Sequence, residues 1–363
     1  MKSSSPSARA KERRTLRLFL YGPGVGESII MRLPCGNWGV VDCYQRQKGA
    51  SEGTLAFLQR NGVDRLAFFC HTHPHEDHYL GADLLFQHYA GKIDRIWRHP
   101  GFSSLDITTR AVLAATIEAR KLGNPEPVEA AEGYCKLLAA IRTEKEAIKK
   151  RAPDLLKYNY RRISGPTDVM EGDDYRIQTL APSAEELDGA EAHLATLRAD
   201  LGYSAFSDDS GSFLNGLSVV LHITFRKAEI LLLADAQGAS QHAHHAIRKL
   251  TVVKIAHHGS KNGTCAALIT KTPASTYKVP HGILTPYTRS GLPDAAMVAN
   301  YQRACKNFTM TEKSSIQHPN IAVLGMPGAV PVHRDCEWVG LEILPSGKVR
   351  PCNGVASASM RGQ

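Results

Sequence analysis

Cys70-His71-Thr72-His73-Pro74-His75-Glu76-Asp77-His78 follows the apolar run 66–70, and its reading decides the fold. The run reads as a buried strand opening into a polar loop. Side chains at alternate positions of an extended segment share a face, so His73 and His75 converge on one ion. Asp77 and His78, where the chain turns into the next helix, supply a second. Histidines at 71, 73 and 75 leave the register open until the acid is considered. Only His73-x-His75-x-Asp77-His78 sets two imidazoles ahead of an adjacent carboxylate and imidazole; a start at His71 puts His75 where the Asp is needed. His71 is therefore left out of the ligand set. Imidazole and carboxylate donors suit zinc, iron or manganese, in the mixed arrangement usual for hydrolysis. The plainer alternative, histidines gathered on an exposed loop, is disfavoured by the spacing and the preceding strand.

This motif, followed by Gly81, resembles the signature of the metallo-β-lactamase superfamily. The resemblance implies an α/β fold, a four-layer αββα sandwich holding metals at one edge. Three further stretches fit it in order. Gly39-Val-Val-Asp-Cys43 resembles the early strand whose terminal Asp42 buttresses the metal loop. Leu231-Leu-Leu-Ala-Asp235 resembles the strand ending in a metal-bridging Asp, and Ile255-Ala-His-His-Gly-Ser260 the late strand ending in a ligand His. In each, a buried apolar strand delivers a polar residue at its carboxyl end, where open α/β sheets place their sites. The implied ligands are His73, His75, Asp77, His78, Asp235 and His257, around two divalent ions, zinc or manganese, that share a hydroxide nucleophile.

A narrower resemblance rests on Gly24-Val-Gly-Glu-Ser28, Asn215-Gly-Leu-Ser-Val-Val220, Asp235-Ala236 and Lys254-x-x-His-His-Gly-Ser260. Together these are similar to the hydrolase domain of competence-type DNA-uptake proteins, the ComEC-like group, over most of residues 15–345. Asn215 stands where many superfamily enzymes carry a further His, as it does in that group; His193 and His222 are near in sequence but off the motif position. This implies weaker binding of the first ion, held by His73, His75, Asp235 and solvent. Glu27 replaces the group's usual Asp, a change expected to affect loop packing alone. Neighbours on an extended strand point opposite ways, so His257 and His258 receive separate roles. His257 joins Asp77, His78 and Asp235 on the second ion. His258 protonates the leaving group or contacts a phosphate, or is simply bonded to backbone. Asp77, Asp235 and His258 are thus the candidate catalytic residues, with Asp42 and Asn215 in support. Lys254 and Ser260 are candidate substrate contacts, although a lone Lys beside a strand end is more often solvated.

The whole chain fits one elaborated domain. Its 363 residues, 43% hydrophobic, can bury a large core. Strands are expected at 16–21, 28–33, 39–43, 66–70, 93–98 and 175–180, in a hairpin of 218–224 and 229–234, and at 251–256. Helices are expected at 52–60 and 81–89. Residues 103–165 change in character to Ala, Glu, Lys, Arg and Leu and read as a helical insertion, with helices near 106–121 and 131–151. Residues 1–14 read as a disordered basic tail, 15–345 as the domain, and 346–363 as a C-terminal tail. Eight cysteines without a C-x-x-C pair fit reduced thiols, and the lack of a long apolar stretch fits a cytoplasmic protein without a membrane partner.

Such a metal site gives the reaction type, not the substrate. A net charge of +9 favours polyanions. Within the insertion, Lys149, Lys150, Arg161 and Arg162 lie among further basic residues with Tyr158 and Tyr160 interleaved, as phosphate tracking with base stacking requires. A solvated helix face explains part of the same pattern. The expectation is a metal-dependent phosphodiesterase or nuclease acting on DNA or another nucleic acid. The alternatives are a small-molecule hydrolase of the same fold, cleaving a lactone, thioester, lactam or nucleotide, and a metal-stabilised binding module.

Overall fold

Short β-branched and aromatic runs, cut by Gly and Pro, pair into two sheets in the computed structural model. It describes residues 14–45, 53–99, 126–189, 215–237, 249–263, 279–311 and 338–352. The first sheet draws on β1 (Leu16–Tyr21), β2 (Ser28–Arg32), β3 (Trp38–Val41), β4 (Leu66–His71), β5 (Ile96–Arg98) and β6 (Tyr160–Arg162). The second holds β7 (Thr167–Glu171), β8 (Tyr175–Ala181), β9 (Val220–Phe225), β10 (Ala228–Leu232), β11 (Val252–Lys254), β12 (Val279–Leu284) and β13 (Cys305–Met310). β14 (Trp338–Ile343) and β15 (Val349–Pro351) return to the first, giving the orders β15-β14-β1-β2-β3-β4-β5-β6 and β13-β12-β11-β10-β9-β8-β7. β3 to β6 run parallel, as do β10 to β13, so two sets of carboxyl ends meet at one edge.

Three apolar layers order the elements. Leu18, Leu20, Phe68 and Trp97 meet Ile177, Leu221, Ile230 and Val252 between the sheets. On the outer face of the first sheet, Phe69 and Ile96 pack beneath Leu58 of α1 (Thr54–Arg60), Leu85 of α2 (Ala82–His88) and Leu137 of α3 (Glu126–Arg151). On the outer face of the second, Val220 and Leu231 pack with Ala304, and Leu284 with Tyr301, both on α4 (Ala295–Ala304). The layers therefore run helix, sheet, sheet, helix. Each fully buried Leu, Ile or Phe contributes roughly 1.5–3 kcal/mol to this stack. Because both faces of β4 are covered, it reads as an unbroken apolar run rather than an alternating one.

The structure revises three boundaries. The stretch 103–165 is not wholly helical: Tyr160–Arg162 pairs with β5 as an edge strand. Its long helix starts at Glu126, with Pro127 in the first turn, where a missing N–H costs nothing. The sheet also continues past 345, because Val349–Pro351 pairs antiparallel with β14 after the turn at Pro345. The N-terminal tail and the helix expected near 106–121 lie outside the described residues. No described helix is long and apolar enough to cross a membrane.

Candidate metal centre

Most elements of the site sit at a strand's carboxyl end. Asp42 follows β3, the His73 loop follows β4, Asp235 follows β10, His257 and His258 follow β11, and Thr285 follows β12. Asp42, Ala234, His257 and His258 have φ of 54°, 45°, 48° and 51°. Left-handed backbone is uncommon for such residues and persists where the surroundings hold it, typically at functional sites. Gly26 lies close by: a Cβ there would come within 2.2 Å of the Tyr44 ring and 2.8 Å of Asp77 O. Its absence lets Glu27 N donate to Asp77 O at 2.9 Å, tying the first turn to the metal loop.

One ring nitrogen of each central histidine is engaged from behind. Asp42 accepts from Thr72 N at 2.8 Å and Thr72 Oγ1 at 2.6 Å, and lies 2.7 Å from His78 Nδ1. With its proton given to Asp42, Thr72 Oγ1 can accept from His73 Nδ1 at 3.0 Å. His258 Nδ1 donates to Thr285 O at 2.8 Å. These partners turn the Nε2 atoms toward the carboxylates, the outer-shell arrangement seen around metal-ligating histidines. His78 Nε2 stands 3.4 Å from Asp235 Oδ1 and 3.5 Å from Asp77 Oδ2. His73 Nε2 lies 3.7 Å from Asp235 Oδ2, and His258 Nε2 lies 2.9 Å from Asp77 Oδ2 and 3.5 Å from Asp235 Oδ2. His75 joins His73 and Asp235 in a group of donors within 4.8 Å of one another.

This donor set fits divalent metal. Nε2 of His73 and His78 and Oδ1 of Asp235 are buried without a hydrogen-bond partner, which is costly unless a cation completes them. Ligand atoms about 2.0–2.1 Å from a tetrahedral zinc stand roughly 3.3 Å apart, close to the separations across Asp235. Asp42, Asp77 and Asp235 are buried with no Lys or Arg in ion-pair range among the described residues, and only histidines balance them. Burial opposes the charge on Asp235, yet His258 and His78 hold its carboxyl well below the usual range. Burial likewise opposes charge on His78 and His258, but the facing carboxylates raise the first well above an ordinary imidazole and the second to about 10.

The geometry exchanges the two adjacent histidines. His258 faces Asp77 and Asp235, whereas His257 sits half-buried between amides, Nδ1 2.8 Å from Gln237 and Nε2 3.2 Å from Asn215. The reason is local backbone. β11 ends at Lys254, and both histidines lie in a tight turn with left-handed φ, so strand alternation does not apply to them. Lys254 is not solvated: it is fully buried, its Nζ 2.5 Å from Glu27 Oε2. Glu27 is more than loop packing. Besides Lys254 it accepts from Thr285 Oγ1, and its oxygens lie 3.8 Å from His78 Nδ1 and 3.7 Å from His258 Nδ1. Neither Glu27 nor Thr285 was legible as a site residue; the only signal was an acid after Gly24-Val-Gly26.

A cavity of about 380 Å³ opens over the cluster, walled by His75, Asp77, Asp235, His257, His258 and Tyr287 among others. Ser260 Oγ accepts from Asn262 N at 3.3 Å within the following turn. His222 pairs with Glu229 at 2.5 Å on the second sheet, and His193 lies outside the described residues. Lys149 and Lys150 are exposed near the end of α3, about 22 Å along the helix from Tyr134, which packs on Tyr79 of the metal loop. Arg161 Nη1 donates to Asp168 O at 2.9 Å, and Arg162 is exposed at the end of β6.

No family model and no curated protein matches the chain. Among solved structures, the metallo-β-lactamase-fold protein YhfI of Bacillus subtilis is similar over 82% of this chain and 96% of its own, at 11% identity and a TM-score of 0.40. A diphosphatase of the PhnP family is similar over 91% and 98%, at 10% identity and a TM-score of 0.38. A β-lactamase domain protein from Burkholderia ambifaria is similar over 61% and 52%, at 14% identity and a TM-score of 0.33. Likeness of this degree does not carry an activity across, which has to be read from the side chains.

Proposed function

We propose that the protein is a metal-dependent hydrolase of phosphodiesters, with nucleic acid as its substrate. The observation behind this reading is the convergence, beneath an open cavity, of buried Nε2 atoms of His73 and His78 with Oδ1 of Asp235, all without partners. His73, His75 and Asp235 would hold one ion, and Asp77, His78, His258 and Asp235 the other. Divalent ions there supply a water acidified toward neutral pH and positive charge opposite a phosphoryl oxygen. The chain's own groups do the remaining work. Asp42, Thr72 and Thr285 fix the imidazoles with Nε2 toward the carboxylates, where they would hold the ions, and Glu27 with Lys254 braces the ring of His258 from behind. Tyr287 keeps its phenol proton, because burial and then Asp77 and Glu76 push its pKa up, and it offers a donor at the cavity wall. His257 stands on the same wall to contact substrate.

Nucleic acid is supported by the charge of +9, by the exposed Lys149, Lys150 and Arg162, and by the sequence resemblance to the ComEC-like group. A small-molecule hydrolase is the second reading, favoured by a cavity of 380 Å³, which suits a nucleotide-sized group rather than a duplex. One panel separates the two: plasmid and single-stranded DNA with Mn²⁺ or Zn²⁺, beside bis-p-nitrophenyl phosphate, nitrocefin and a lactone. Cleavage of DNA and the phosphodiester alone is the expected result. Turnover of nitrocefin or the lactone without either would overturn it.

A further inference from the structure

The helix-facing side of the first sheet carries a second group of buried polar side chains, beside the metal loop but outside its cavity. His71, Arg98 and Arg162 end β4, β5 and β6 and lie side by side, His71 opposite Arg98 and Arg98 opposite Arg162. Two residues back, Phe69, Ile96 and Tyr160 pack under the helices, while Cys70 and Trp97 face the other sheet. Strand alternation therefore turns all three basic side chains to the helix side. His99 follows Arg98, its ring 5.3 Å from that of His71 and its Nε2 3.2 Å from Tyr134 Oη on α3.

Among the described residues, several polar atoms of this group have no hydrogen-bond partner. Arg98 is 4% exposed, and its Nε makes no hydrogen bond. Nδ1 of His99 and both ring nitrogens of His71 are in the same condition, although Asp42 Oδ1 stands 3.5 Å from His71 Nδ1. Among the described residues no carboxylate comes within ion-pair distance of Arg98 or Arg162. A guanidinium cannot shed its proton, so burial without an anion is costly, and a second guanidinium alongside raises that cost. Burial, with His71, Arg98 and Arg162 adding to it, holds His99 well below the usual histidine range, so its ring is neutral. Tyr134 keeps its proton, since burial pushes its hydroxyl up to about 12 against the pull of Arg98. Tyr134 Oη can then donate to His99 Nε2, the tautomer that leaves Nδ1–H as a donor for a guest.

We propose that His71, Arg98, His99 and Arg162 form a phosphoryl-binding site, entered from the exposed Arg162 and seated against Arg98. A planar guanidinium flanked by N–H donors, with no competing carboxylate among the described residues, suits a tetrahedral oxyanion. Asp42 links this site to the metal centre, holding His78 on one side and facing His71 on the other. The identity of the parent molecule rests on the phosphodiesterase reading; binding of the phosphoryl group does not. Its source is a terminal phosphate of the substrate or free phosphate.

The test is calorimetric titration of the full-length, metal-loaded protein with inorganic phosphate, comparing wild type, Arg162→Ala and Arg98→Gln. Saturable binding is expected, weakened about tenfold or more in each variant, since a charged hydrogen-bonded contact is lost. Phosphate held only by the metal ions would be indifferent to Arg162. No saturable binding, or equal affinity in wild type and Arg162→Ala, overturns the site; Arg162 is exposed, so this holds even if Arg98→Gln misfolds. A 5′-phosphorylated dinucleotide that binds more tightly than its unphosphorylated counterpart, with the difference lost in Arg162→Ala, assigns the phosphate to substrate. Equal binding of the two assigns it to free phosphate. Phosphate binding without hydrolysis would sink the hydrolase reading and leave this site intact, and hydrolysis without phosphate binding would do the reverse.

Discussion

At the scale of single residues, the ligand roles hang on which nitrogen faces the carboxylates. His258→Ala should lower the metal content of purified protein by about one ion per chain, while His257→Ala should retain both, as read by elemental analysis; the opposite pattern would return His257 to the ligand set. Metal uptake should also release protons. Without metal, burial opposes charge on His78 and His258, but the facing carboxylates raise both above an ordinary histidine, so both favour the protonated ring. Metal needs the neutral rings, so affinity should rise as pH rises from 6 toward the value near 10 of His258. Calorimetry in buffers of different ionisation enthalpy would expose the released protons, and pH-independent affinity would contradict the assignment. Behind the rings, Lys254→Met removes the ammonium paired with buried Glu27 and should cost about 3–5 kcal/mol in denaturant unfolding, part of it restored by adding Glu27→Gln. The spacing of His73, His75, Asp77 and His78 was legible because period-two alternation and an adjacent acid fix the register. The roles of His257 and His258 were not, because left-handed backbone leaves no trace in the order of residues. Lys254 misled for a related reason: its partner Glu27 lies far off in sequence, and only the fold brings them together.

At the scale of elements, α3 has two ends with different work. Its Tyr134 end seals the metal loop, while Arg151, near its other end, donates to Gly91 O at 2.6 Å and Ile93 O at 2.6 Å. Glu144 joins that anchor by accepting from Gly91 N at 2.6 Å. Glu144→Ala should therefore cost about 1–3 kcal/mol, because it leaves a polar group unpaired, with little effect on turnover. The exposed Lys149 and Lys150 lie at that far end. Replacing both with Ala should leave cleavage of a small phosphodiester unchanged, and should flatten the salt dependence of polynucleotide binding by about 1.4–1.8 units of slope if both touch phosphates. An unchanged slope would return them to a solvated helix face. Composition foretold this helix but not β6, since Tyr160-Arg-Arg162 carries charge where a buried strand would be apolar. An edge strand tolerates such residues, and only pairing with β5 reveals it.

At the scale of the whole molecule, two sheets with parallel cores bring distant stretches to one edge, and that convergence gathers a His/Asp cluster able to hold metal from residues spread between Glu27 and Thr285. Strand ends near Asp42, His71, Asp235 and Lys254 were legible as apolar runs closing on a polar residue. The strand-end threonine Thr285 and the layering of the two sheets needed long-range pairing that no local pattern encodes. In the proposed assignment Asp235 would be shared by two ions, one held by His73 and His75 and the other by Asp77, His78 and His258. A crystal of metal-loaded protein, measured at the absorption edge of the bound metal, tests it directly. Two anomalous peaks flanking Asp235 are expected, one of them against Nε2 of His258. An empty cluster after metal loading, or a peak seated on His257 with His258 uninvolved, would contradict it.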